Sequence, residues 1–97
     1  MSPDELAARA LRAVEVLLAR AVERLRPRVS DADALSAEKL EREQHAAHGL
    51  AWLATYVEAI REMAGYSSRM QAEGRYSETE ALLTLIGLGE YLSLIHI

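Results

Sequence analysis

Residues 36–74, SAEKLEREQHAAHGLAWLATYVEAIREMAGYSSRMQAEG, decide the fold. Stepping from Gly49 by four and three gives Leu53, Tyr56, Ile60, Met63, Ser67 and Met70. That spacing keeps close to one face of a 3.6-residue helix. Trp52, Val57 and Ala64 widen the stripe into an apolar arc, while Gln44, Thr55, Glu58, Glu62 and Arg69 fall on the other side. Glu38 with Arg42 and Arg69 with Glu73 are spaced as helical ion pairs, each worth about 0.2–0.5 kcal/mol. Such pairs are too weak to hold the helix, so the arc needs a partner. Ser36 is placed to cap the start, and Gly74 to end it in the left-handed conformation. One unbroken helix here would be about 55 Å long at ~1.5 Å per residue. Any break is expected at Gly49 or within residues 65–68.

Working outward, Ser2-Pro3-Asp4-Glu5 is a helix start, with Ser2 as cap, Pro3 at the first helical position and Glu5 completing a capping box. The stripe Ala7, Leu11, Val14, Leu18, Ala21 and Leu25 follows, and Pro27 is expected to end the helix. Residues 28–35, with Ser30, Asp31 and Asp33, read as a connection. After the turn Gly74-Arg75-Tyr76, residues 77–80 form a second capping box. The last helix carries a predicted seam of Leu82, Leu85, Gly89 and Leu92, with Leu83, Ile86 and Leu88 alongside. A helix apolar nearly all round is expected to be buried or covered by other polypeptide. With Glu90 inside it, it is too short and interrupted for a membrane span. The fold class expected is therefore all-α: a three-helix antiparallel bundle with a long central helix, the first helix beside one half of it and the third on the other half.

Composition narrows the function. The chain has 97 residues, 51% apolar and with no Phe, enough for one small domain packed through Leu, Val, Ile, Ala and Met. A net charge of −4 and a pI near 5.3 speak against nucleic-acid binding. Arg9, Arg12, Arg20, Arg24, Arg26 and Arg28 alternate with Glu15 and Glu23, as on a solvated helix face. The absence of Cys removes disulfides, thiolate nucleophiles and cysteine-based zinc sites and fits the cytoplasm. The N-terminal stretch lacks the apolar run of a signal peptide.

Few residues are candidates for chemistry. Glu41, His45 and His48 lie at i, i+4 and i+7, a spacing that can offer two imidazoles and a carboxylate to a metal, with Glu90 as a conceivable fourth ligand. The pattern is not H-E-x-x-H, and the plainer reading has both His residues hydrogen-bonded at a helix–helix edge. Trp52, Tyr56, Met63, Tyr66 and Met70 can line a ligand groove, but apolar residues at helical spacing more often form core. Gly87-Leu88-Gly89 lacks the strand and third glycine of a phosphate loop, and no Ser sits in G-x-S-x-G. No catalytic, cofactor-binding or metal residue is assigned.

Residues 43–61 (EQHAAHGLAWLATYVEAIR), with Gly74-Arg75-Tyr76, Glu80-Ala81-Leu82-Leu83 and residues 86–92 (IGLGEYL), resemble the N-terminal helical extension of a group of bacterial acyl-CoA dehydrogenases. The resemblance spans about residues 3–92. It implies a parent enzyme that uses FAD to oxidise an acyl-CoA thioester at Cα–Cβ, a carboxylate base taking the α-proton and the flavin the β-hydride. No residue here matches that base or a flavin-binding motif, so none is carried over. Residues 93–97 (SLIHI) resemble a translated sequencing-adapter tail, which would make 1–92 the natural module and place further chain beyond it; the alternative is an ordinary apolar helix end. The expected partners are the rest of the parent chain or a second copy, with no nucleic acid and no membrane. The alternative is a stand-alone helical interaction module without enzymatic activity.

Overall fold

The computed structural model describes residues 2–32 and 34–96; Asp33 of the expected connection and Ile97 of the expected tail lie outside them. The elements in order are α1 (Pro3–Val29), a two-residue strand β1 (Ser30–Asp31), its partner β2 (Ala34–Leu35), α2 (Ala37–Arg42), α3 (Gln44–Ala72) and α4 (Glu78–His96). The class is all-α, but with four described helices rather than three.

α1 begins as its sequence dictates. Ser2 Oγ accepts the Glu5 N–H at 3.2 Å, Pro3 occupies the first turn, and Asp4 and Glu5 face the positive helix end. Pro27 does not end it: the helix runs on to Val29. So near the C-terminus a proline forfeits one hydrogen bond to an upstream carbonyl, and burial of Val29 at 6% exposure draws the last turn inward. The Val29 carbonyl then accepts the Ser36 N–H at 2.8 Å. Between them the expected connection is a small antiparallel hairpin, Ser30 opposite Leu35 and Asp31 opposite Ala34. Ala32 turns it at φ 54°, a conformation uncommon for a residue with a Cβ.

The expected 36–74 helix is interrupted, and at neither predicted place. It breaks at Glu43 (φ −101°, ψ 25°), whereas Gly49 and residues 65–68 are helical within α3. Ser36 caps α2 by accepting the Lys39 N–H at 3.2 Å. Two tertiary tethers set the break. Lys39 Nζ bonds the Ser30 carbonyl at 3.2 Å and the Asp31 carboxylate, and Glu43 meets Arg28 of α1 at 3.6 Å. α2 therefore follows the hairpin and the end of α1 rather than the axis of α3.

At its far end α3 stops as predicted. Gly74 has φ +68°, its N–H bonds the Gln71 carbonyl at 3.2 Å, and the Arg75 N–H bonds the Met70 carbonyl at 2.8 Å. These two bonds form a Schellman motif. Glu73 pairs with Arg75 at 3.3 Å rather than with the expected Arg69. α4 starts at the second capping box, with the Ser77 N–H and Oγ both on the Glu80 carboxylate.

α1 runs antiparallel to α3 along its whole length, not half of it. Ser67–Asp4, Arg61–Glu15 and Arg28–Glu43 mark successive contacts from one end to the other. α4 folds back along α3 as far as Tyr56 and also touches α1. The core draws on all three long helices: Ala7 and Val14 from α1, Val57, Ile60 and Ala64 from α3, and Leu88 from α4. The molecule measures 51 × 24 × 18 Å.

Candidate functional site

The stripes of α1 and α3 point inward as read, with Leu53 and Met63 half-buried and Ile60 fully buried; only Gly49 of the α3 stripe is exposed. The predicted α4 seam is wrong. Leu82, Leu85 and Gly89 are exposed, and α4 instead buries Thr84 and Leu88, flanked by Gly87, Tyr91 and Leu92. An all-round apolar helix has no periodicity to announce its inner face. Here that face is set by close approach at Gly87, where a Cβ would lie 2.5 Å from Met63 Sδ. The buried Thr84 hydroxyl is satisfied by the Glu80 carbonyl at 2.9 Å. The consequence is an outward apolar face on α4, including Leu82, Leu83 and Ile86, the last 68% exposed.

A second apolar surface lies at the other end of the molecule. Val22, Leu25 and Val29 of α1, Leu35 of the hairpin, Leu40 of α2 and Leu50 and Ala54 of α3 line an open cleft of about 610 Å³. Among the described residues Arg26 is its single charged lining residue, with Ser30 beside it. Sequence periodicity missed this cleft because four separate elements build it. The lining does not fit a flavin, whose pyrophosphate and ring need an array of polar partners.

Among the described residues no group of three or more His, Asp or Glu side chains is arranged to hold a metal. Glu41, His45 and His48 are all exposed, and the break at Glu43 separates Glu41 from the helix that carries the two His residues. His48 is occupied otherwise: its Nε2 accepts the Trp52 indole N–H at 2.8 Å. An imidazole lone pair used this way is not offered to a metal. This bond lies within α3, not across the helix–helix edge expected. It begins an aromatic series, Trp52 to Tyr56 at 5.8 Å and Tyr56 to Tyr91 of α4 at 6.0 Å between ring centroids. Of the expected groove residues, Tyr56, Met63 and Met70 are half-buried, whereas Trp52 and Tyr66 remain exposed.

Electrostatics are peripheral. The arginines of α1 are exposed, as a solvated face requires. Hydrogen bonding from Lys39, reinforced by its charge, holds the Asp31 carboxyl below the usual carboxylate range. Glu15 and then Glu58 raise Arg61, which both carboxylates engage.

The chain is similar to part of an acyl-CoA dehydrogenase. The relative is (2S)-methylsuccinyl-CoA dehydrogenase of Cereibacter sphaeroides, 48% identical over 90 residues. The match takes in 93% of this chain but 16% of that protein, so the chain spans about a sixth of its relative's length. The family resemblance read from residues 43–61 and 74–92 is thus shown. No family model matches the chain. Among the described residues no helix is long and apolar enough to cross a membrane.

Proposed function

We propose that this chain is the N-terminal helical segment of an FAD-dependent acyl-CoA dehydrogenase that converts acyl-CoA to enoyl-CoA, and that the segment is itself non-catalytic. The observation that carries this reading is the 48% identity over 93% of the chain against 16% of the relative. The sequence holds neither the carboxylate base nor the flavin motifs that the resemblance implies for the parent. On this reading residues 1–92 are the module, an antiparallel bundle of α1, α3 and α4, residues 93–97 are not native, and the protein is cytoplasmic. Its partners are the rest of the parent chain or a second copy, which would cover Leu82, Leu83 and Ile86. Exposed contiguous apolar patches commonly mark such contacts. The test is co-expression with the relative lacking its matched 90 residues. Co-purification is expected, with neither FAD nor acyl-CoA oxidation in the chain alone. Bound flavin or turnover in the isolated chain would refute the non-catalytic role, and a full gene without a flavin domain would remove the enzyme assignment.

The exposed face of α4 also favours a second reading, a stand-alone interaction module. Sedimentation separates it: a clean, stable monomer that shows no association counts against that module.

A further inference from the structure

Resting on the reading of the chain as part of a longer dehydrogenase, we infer that the groove between α1 and α3 just beyond the end of α4 seats one to two further turns of helix, continuing α4 in the parent polypeptide. α4 lies in the trough between α1 and α3, with Tyr91 against Tyr56 and Leu92 beside Leu17. The trough does not stop where α4 stops. It runs on for about 300 Å³ over Leu25, Leu50 and Leu53, bordered by Ala21, Ala46 and Gly49. This groove continues an interface already formed and keeps its chemistry, an aliphatic floor between two helices. Gly49 is the one exposed residue of the α3 stripe, and a Cβ there meets nothing within 4 Å. Small residues at such a border let another helix approach closely. Arg24 and Arg28 line the same groove, and Arg28 is already paired with Glu43, so the occupant is a helix with small apolar residues inward and a carboxylate toward Arg24.

The experiment joins residues 1–92 to the twelve or so residues that follow the matched stretch in the Cereibacter relative, and compares melting temperatures with and without this extension. The measurement is repeated in Gly49→Leu, which fills the groove, and in Thr55→Leu on the solvated face. We expect the extension to raise Tm by about 5 °C or more, the gain vanishing in Gly49→Leu and persisting in Thr55→Leu. No gain, or a gain that survives Gly49→Leu, overturns the inference. So does a concentration-dependent dimer of the unextended chain that Gly49→Leu abolishes, which would give the groove to a second copy. If the extension has no effect while the chain still co-purifies with the flavin-containing remainder, this seat alone falls and the segment reading stands.

Discussion

Ser67 Oγ donates a hydrogen bond to Asp4 Oδ1 at 3.1 Å, fastening the last third of α3 to the first turn of α1 across 63 positions of sequence. Ser67 is fully buried, and the carboxylate is the partner its hydroxyl has within the core. Asp4 also sits at the positive end of α1, so it serves the helix dipole and the inter-helix bond together. Ser67→Ala should destabilise the fold by about 1–2 kcal/mol, since the bond is charge-assisted but Asp4 keeps access to water. Thermal melting followed by circular dichroism measures it. A variant as stable as the parent would mean this bond fixes register without adding stability.

Ile60 stands at the centre of the core, with no exposed surface. Replacing it with Ala should cost about 2–5 kcal/mol. A domain of this size has a total stability of about 5–15 kcal/mol, so Ile60→Ala should lose much of its cooperative unfolding transition. Urea titration decides the matter. A midpoint shift smaller than that of Ser67→Ala would contradict the place given to Ile60.

Three glycines should answer differently to alanine. Gly89 is helical with open space around it, and Gly89→Ala should stabilise by up to about 1 kcal/mol through helix propensity alone. Gly87→Ala should gain less, because the added Cβ forces the flexible end of Met63 to move. Gly74→Ala should lose about 1 kcal/mol despite equally open space, because its φ of +68° is costly for an L-residue. The order of melting temperatures, Gly89→Ala above Gly87→Ala above Gly74→Ala, is the test.

Asp31 gives a prediction in pH. Its folded carboxyl is held low by Lys39, so the pairing contributes above the ordinary carboxylate range and is lost as pH falls through the lowered folded value. The change is carried by the Asp31 carboxylate. Amide shifts of Ser30 and Lys39 followed by NMR should therefore move in acid, and Asp31→Asn should remove that movement. Because the pair is exposed, the effect on global melting should be small.

Much of the architecture was legible in the residues themselves. Ser2, Ser36 and Ser77 mark helix starts, Gly74 marks a stop, and the stripes of α1 and α3 mark their inner faces. Each of these is settled within a few residues, by a capping hydrogen bond or by 3.6-residue periodicity. The resemblance in residues 43–61 and 74–92 was legible too. The cleft was not, because Val22, Leu35, Leu40 and Ala54 have no periodic relation until the hairpin and α2 fold over α1.

What only the tertiary structure decided is where neighbours overrule local preference. Arg28 and the Lys39 tether place the break at Glu43, although Gly49 is the intrinsically weaker helix position. Met63 against Gly87 chooses the buried side of α4, whose own residues are too uniformly apolar to choose one. Local hydrogen bonding and periodicity fix where helices form. Which face turns inward, and where a rod bends, depends on contacts between residues far apart in the chain, whose energies no short window of sequence contains.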